Sequence, residues 1–177
     1  QIWTTSSLAR STWSDSHVFG KPHGTEYDAD ATSDSTVGNT DGVTTYFEHE
    51  TGTNQIKAGS ASAIAASIQS GDFDISASQG GGADLRGDGE YMMKIRRVIP
   101  DFLTQTGDAR ITLNLKNYPT DSQASSSLGP FTTTTSTTKI DTRARARAIA
   151  LKVDNTSTGQ HWKLGTFRLD IQADGRR

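Results

Sequence analysis

A strict two-residue alternation near the end of the chain constrains the fold more than any other stretch. Over residues 143–153 the odd positions hold three arginines followed by three aliphatic residues, and every even position from 144 to 150 is alanine. Successive side chains of a β-strand point to opposite faces, so this pattern predicts a strand with one face of small residues. Its other face changes from charged to apolar along the strand.

The run 162–172 is the predicted antiparallel partner of residues 143–153. Residues 154–159, between the two runs, are all turn formers, which indicates a short polar loop. The apolar side chains before Gly165 have the opposite parity to those that follow it. Gly165 is therefore predicted to be a β-bulge that resets the register.

Other segments with the same period predict an all-β fold for the rest of the chain. Their spacing, about six strands in all, predicts an antiparallel, jelly-roll-like β-sandwich over residues 59–177. In addition to the two runs above, the predicted strands of this domain are 63–75, 91–99, 110–116 and 132–138.

Residues 1–58 form a second predicted unit of short strands and a surface loop. Strands are expected near 2–5, 8–14 and 43–50, and the polar stretch 19–40 is expected to be a long surface loop. Three short strands with two tryptophans are typical of one blade of a β-propeller, which cannot bury a core by itself. The first strand has no partner nearby, so further residues upstream are expected.

The composition suits a loop-rich β protein. Only 32% of the 177 residues are hydrophobic, while threonine, serine, glycine and aspartate are abundant. No apolar stretch is long enough to span a bilayer, so no membrane anchor is expected. Because cysteine is absent, disulfides and thiolate metal sites are excluded.

Charge is divided unevenly along the chain. Residues 1–90 carry four basic and thirteen acidic side chains, a net charge of −9, whereas residues 91–177 carry fourteen basic and seven acidic ones, a net charge of +7. Both halves could be ordinary solvated surface. Alternatively, an acidic surface of one subunit meets a basic surface of its neighbour in a ring, or the basic half contacts nucleic acid.

The sequence lacks recognisable catalytic and metal-binding motifs, which predicts that the protein is not an enzyme. On a strand Glu48 and Glu50 share a face and His49 points to the other, so the three cannot chelate one metal ion. Asp72 and Asp74 are expected to accept turn N–H groups rather than to act as a catalytic pair. The chain has no Gly-x-Ser-x-Gly elbow, no phosphate-binding loop and no His-Glu-x-x-His motif. We therefore expect no catalytic residue, no metal ligand and no cofactor.

Arg143, Arg145 and Arg147 are the strongest candidates for an interface. On one strand face they would stand about 7 Å apart, close to the spacing of phosphates along a DNA strand. They could equally pair with carboxylates of an adjacent strand or subunit, for which arginine is favoured, or remain solvated. Arg176 and Arg177, at the end of the sequence, complete the predicted interface set.

Five further segments carry a resemblance to a known family. They are 46–50 (YFEHE), 70–75 (SGDFDI), 95–102 (IRRVIPDF), 162–170 (WKLGTFRLD) and 174–177 (DGRR). Together with the arginine-rich strand, in this order and spacing, they resemble the carboxyl-terminal part of the tail nozzle, or packaged-DNA-stabilisation, proteins of short-tailed (podovirus-type) phages. Subunits of that family are much longer, and a propeller precedes their C-terminal domain, so this chain would correspond to their C-terminal portion.

The resemblance implies a virion structural protein located in the phage tail. Its copies would assemble as a ring, a homohexamer, below the portal and form a nozzle that retains packaged DNA and channels it out at infection. The implied partners are identical subunits, the neighbouring portal or adaptor and tail-fibre proteins, and phage DNA in non-specific transit contact.

A glycan-binding β-sandwich that recognises a host surface is the alternative function. Such sites stack sugars on exposed aromatic side chains, and Trp13, Tyr46, Tyr118 and Trp162 are the candidates. A sequence-independent nucleic-acid binder is a third hypothesis, which the overall net charge of −2 disfavours.

Overall fold

The computed structural model describes residues 10, 12–27, 44–57, 59–75, 91–118, 121 and 126–176. Over these residues the chain is all-β with several antiparallel sheets, which confirms the predicted class. The one helix among them, α1 (Ser16–Phe19), has only four residues, and no described helix is long and apolar enough to cross a membrane. The chain divides into two compact units, Gln1–Ser62 and Ala63–Arg177. The strand predicted at 2–5 lies outside the described residues.

Three short strands form the main sheet of the first unit. They are β1 (Thr12–Ser14), β2 (His23–Tyr27) and β3 (Thr44–Glu48), and they pair antiparallel in that order. A separate two-stranded sheet follows, made of β4 (Asn54–Lys57) and β5 (Ser60–Ala63). The strand predicted over 43–50 is thus confirmed in β3.

The prediction of a surface loop over 19–40 is wrong for His23–Tyr27, which form β2. The residues of β2 include too few apolar side chains to give a two-residue pattern. Gly24 fits in β2 because residues distant in the sequence pack closely against it, which the local sequence does not show. A Cβ at this position would lie 3.2 Å from the side chains of both Arg10 and His49, so the close approach favours glycine.

The second unit contains three antiparallel sheets. Its strands are β6 (Ser67–Gln69), β7 (Tyr91–Ile99), β8 (Phe102–Thr106), β9 (Ala109–Lys116), β10 (Ser127–Thr133), β11 (Ile140–Ala146), β12 (Ala148–Asp154), β13 (His161–Leu164) and β14 (Arg168–Arg176). The four-stranded sheet has the order β10-β9-β12-β6. A three-stranded sheet, which we call the arginine sheet, has the order β11-β7-β14, and β13 pairs with β8.

A single hydrophobic cluster joins the four-stranded sheet and the arginine sheet. It contains Met93, Ile95 and Val98 from β7 together with Ile111 and Leu113 from β9, all fully buried. Full burial of each such side chain contributes about 1.5–3 kcal/mol. Both strands were predicted from the sequence, and the inward direction predicted for Ile111 and Leu113 is confirmed.

The alternating run 143–153 is not one strand, contrary to the prediction. It breaks at Arg147, with β11 on one side in the arginine sheet and β12 on the other in the four-stranded sheet. In β11 even positions such as Ala144 are buried, whereas in β12 the buried positions include the odd residues Ile149 and Val153. A straight strand cannot turn both parities toward the same core, so the chain bends at Arg147 and passes from one sheet to the other.

The hairpin predicted between 143–153 and 162–172 is also wrong. β12 pairs with β9 and β6, whereas β13 pairs with β8 and β14 pairs with β7. The consecutive strands β7-β8 and β13-β14 therefore form one long, bent antiparallel ribbon. Leu164 is opposite Phe102 on one side of its corner, and Arg168 is opposite Ile99 on the other.

Asp101 and Gly165 hold the corner of this ribbon. The Gly165 N–H donates to the Asp101 carbonyl oxygen at 2.8 Å, and the Thr166 N–H donates to Asp101 Oδ2 at 3.1 Å. A Cβ on Gly165 would lie 2.9 Å from Asp101 Cγ, so the corner requires glycine. The register irregularity predicted at Gly165 lies one step earlier, between Lys163 and Leu164.

Candidate functional site

The predicted interface arginines lie in different parts of the second unit. Arg143 and Arg145 are exposed on β11, while Arg147 is half-buried at the bend that follows. The three side chains therefore do not form one continuous stripe on a single strand. The side chain of Arg176 and the whole of Arg177 lie outside what the structure describes.

Arg145 pairs with a carboxylate inside the arginine sheet. Its Nε donates to the carboxylate of Asp174 on β14, and its Nη2 donates to the carbonyl oxygen of the same residue at 3.3 Å. Since β7 lies between the two strands, this ion pair crosses the middle of the sheet, where Lys94 is the residue opposite Arg145. Of the alternatives open for the three arginines, carboxylate pairing is the one found for Arg145.

A second ion-paired row crosses the same face further along β7. Arg97 Nε donates to Asp141 Oδ1 at 2.8 Å, and Lys139 Nζ lies 3.1 Å from Asp141 Oδ2. The hydrogen bonds from Arg97 and Lys139 lower the pKa of Asp141, and the hydrogen bond to Asp141 raises the pKa of Arg97. Asp170 of β14 is opposite Arg97 on its other side. The row is exposed, so salt screens it.

Three cations in and beside these two rows have no carboxylate partner among the described residues: Lys94 in the row of Arg145, and Arg96 and Arg143 between the rows. Lys94, Arg96 and Arg143 are exposed, and within the described part of the chain no hydrogen bond or ion pair joins their side chains to a carboxylate. The buried residues that alternate with them, Met93, Ile95 and Ala144, point to the core, so the charged side chains share the outward face. We call this outward surface of the arginine sheet the basic face. Its cations are Lys94, Arg96, Arg97, Arg143, Arg145 and Arg168, and its carboxylates are Asp141, Asp170 and Asp174.

Sequence reasoning identified only the β11 part of the basic face. Lys94 and Arg96 occur with the same parity on the predicted strand 91–99, which was a usable signal. Their position beside Arg143 depends on β7 pairing with β11, two strands that lie far apart in the sequence. Such a pairing cannot be derived from local periodicity.

Within the first unit, the two aromatic residues considered for glycan binding are separated by the sheet. Trp13 and Tyr46 are 56% and 61% exposed, but they lie on opposite faces of the β1-β2-β3 sheet, because Trp13 is in register with Phe47 and not with Tyr46. Tyr118 belongs to the second unit, and Trp162 there is half-buried and donates its Nε1–H to Asn155 Oδ1 at 3.1 Å. No second function is drawn from them.

His49 packs into the first unit on the face opposite Glu48, as its parity predicted. Glu48 is exposed and pairs with Lys21 Nζ at 2.8 Å. The His49 ring lies 4.6 Å from the Trp13 ring, and its Nε2 accepts a hydrogen bond from Arg10 Nε at 3.3 Å. Arg10 also stacks over Phe47, with its Cζ 4.0 Å from the ring centroid. Burial, followed by the charges of Arg10 and His23, lowers the pKa of His49.

This geometry predicts that the first unit loses stability in mild acid. The folded state holds His49 neutral below its ordinary pKa, so as the pH falls through about 6.5 the unfolded chain takes up the proton first. Protonated His49 would also face the Arg10 guanidinium without a lone pair to accept its hydrogen bond. We expect the melting temperature at pH 5.5 to lie below that at pH 7.5, and the difference to shrink in His49→Gln, which keeps an acceptor but does not titrate. The same substitution at exposed His161 should leave the difference unchanged, and an undiminished pH dependence in His49→Gln would contradict the assignment.

No three His, Cys, Asp or Glu side chains in the described ranges are placed to hold a metal ion together. Neither a scan of protein-family models nor a search of curated protein sequences gave a match to this chain.

Proposed function

We propose that this chain is the C-terminal part of a virion structural protein, a subunit of the tail nozzle of a short-tailed phage. Its role is architectural rather than catalytic. Identical subunits, six in the ring, form a channel that retains packaged DNA and releases it at infection. The ring contacts the portal or adaptor on one side and tail-fibre proteins at its periphery.

The corner of the bent ribbon is the observation that carries this proposal. Two of the segments that resemble the nozzle family, 95–102 and 162–170, lie far apart in sequence and meet there. The Phe102 ring lies edge-on to Phe167 at 5.7 Å and to Trp162 at 6.4 Å between centroids. The residues that carry the resemblance are thus the ones that set the bend of the ribbon, which supports a shared domain fold and not only a shared composition.

We infer a finer architecture from the same resemblance. The four-stranded sheet and the arginine sheet are the two layers of a jelly-roll-like β-sandwich, supported by the single hydrophobic cluster to which both contribute. The antiparallel β1-β2-β3 sheet belongs to one blade of a β-propeller, supported by its short strands in sequential order.

Locating the polypeptide in phage particles tests the proposed function. Gold-labelled antibodies raised against the second unit should mark the tail tip of purified particles, and labelling of the capsid alone would contradict the proposal. Native mass spectrometry of the polypeptide isolated from particles should give six times the subunit mass. The subunit itself should be several times heavier than 19.0 kDa, because the nozzle proteins that this chain resembles are much longer.

A further inference from the structure

We propose that the basic face binds the phosphate backbone of double-stranded nucleic acid. This inference extends the proposed function. It rests on that function for one point, namely that the duplex is packaged phage DNA. Three cations, Lys94, Arg96 and Arg143, form the centre of the contact. They lie on two adjacent strands: Lys94 is in the row of the Arg145–Asp174 ion pair, and Arg96 and Arg143 lie between that row and the Arg97–Asp141 ion pair.

The placement of these cations is unfavourable for the chain alone. Arg145 is directly opposite Lys94, and Arg143 lies in the register irregularity of β11 where Arg96 faces it on β7. Like charges across an antiparallel pair repel each other and destabilise the sheet. Asp174 compensates the charge of Arg145, but no described carboxylate pairs with Lys94, Arg96 or Arg143. A local rule broken in this way is typical of a functional surface. An anionic partner supplies the compensation that the described residues do not.

The chemistry of the basic face favours nucleic acid over an acidic protein. Protein interfaces are depleted of charge at their centre and carry aromatic or aliphatic anchors there. Here the centre is charged, and the nearest exposed large apolar side chain on the three strands is Ile99, 37% exposed, opposite Arg168 at the margin. Interfaces with nucleic acid are more polar and far more positively charged, as this surface is.

The geometry indicates contact with the backbone of a duplex and not with unpaired bases. Side chains two residues apart on a strand, such as Lys94 and Arg96, stand about 7 Å apart, close to the spacing of successive phosphates. Proteins that hold single strands add exposed aromatic rings on which bases stack. Among the described residues of β7, β11 and β14 no Trp, Phe or Tyr is exposed. Binding is therefore independent of sequence and weakened by salt.

Fluorescence anisotropy of the full chain with a labelled 30-base-pair duplex of mixed sequence tests the inference. Three phosphate contacts predict a logarithmic salt slope near −2.7, so affinity should fall about 40-fold between 50 and 200 mM salt. Arg143→Ala should weaken binding for every duplex sequence alike and make the slope shallower by about 0.9. The triple variant K94A/R96A/R143A should abolish binding at 200 mM salt.

Two variants make the test specific to this face. Lys163→Ala removes the same charge from an exposed position on β13, outside the arginine sheet, and should leave the salt slope unchanged. Asp174→Asn frees Arg145 from its ion pair and should steepen the slope by about 0.9. Equal effects of Arg143→Ala and Lys163→Ala would overturn the proposal, because binding would then follow net charge alone.

Two other results separate this inference from the ring. If the duplex does not bind at 50 mM salt while self-association is lost in Arg143→Ala, the face belongs to a second copy and the nucleic-acid assignment is overturned. The polypeptide from particles could instead be monomeric by native mass spectrometry and still show the Arg143-dependent salt slope. The proposed ring would then be wrong, and binding of duplex nucleic acid by the basic face would be supported.

Discussion

Replacing Asn155 with leucine should lower the free energy of unfolding of the second unit by about 1.5–4.5 kcal/mol. Asn155 is only 3% exposed and satisfies three partners from two other segments. Its Oδ1 accepts from the Ala66 N–H at 3.3 Å and from Trp162 Nε1 at 3.1 Å, and its Nδ2 donates to the Ile64 carbonyl oxygen at 2.9 Å. Leucine has a similar volume but removes all three hydrogen bonds, each of which contributes about 0.5–1.5 kcal/mol net, because Ile64, Ala66 and Trp162 are themselves exposed or half-buried.

Urea unfolding followed by tryptophan fluorescence measures this loss, since Trp162 is itself one of the partners. Asn117→Leu is the matched control, because Asn117 is exposed and the same substitution there should change stability by less than about 0.5 kcal/mol. Asn155→Asp should be intermediate: it keeps both accepted hydrogen bonds but cannot donate to Ile64. An Asn155→Leu protein as stable as Asn117→Leu would show that the three hydrogen bonds contribute nothing net.

Leu113→Ala should destabilise the second unit by about 2–5 kcal/mol. Leu113 is fully buried on β9 within the cluster shared by the two larger sheets, so truncation removes apolar contacts and leaves a cavity that close-packed neighbours fill only in part. Leu103→Ala offers the same chemical change on β8, where the side chain is 66% exposed, and should cost less than about 0.5 kcal/mol. The same urea titration measures both variants, and comparable midpoints for the two would contradict the assigned core.

Strands with one buried face could be predicted from the sequence with accurate bounds. β9 alternates fully and partly buried residues, and β7 alternates buried and exposed ones from Met93 to Arg96, so the two-residue period is readable in both. β2 and β8 were missed because their side chains do not alternate in polarity. The break at Arg147 was missed for the opposite reason: the alternation continues through it without interruption. The bend follows only from the need of β11 and β12 to pack against one core, and this need depends on tertiary structure that local sequence does not show.

The candidate site was predictable in part for the same physical reason. The alternation of 143–153 predicted that Arg143 and Arg145 share one strand face, and the structure shows both side chains exposed. Their neighbours across β7 and the Asp174 carboxylate that engages Arg145 depend on which strands pair. The predicted hairpin between neighbouring segments does not form. Distant segments pair instead, since the buried faces of β7 and β14 match each other in register.

The passage of β11 directly into β12 has a mechanical consequence. Only one residue, Arg147, lies between the end of β11 and the start of β12. The two larger sheets are therefore connected directly through the backbone, with no loop that could extend. A shear that slides one sheet over the other must break backbone hydrogen bonds in β11 or β12 before any linker can extend. The domain should therefore respond to pulling forces as a stiff block, yielding at its loops well before its sheets separate.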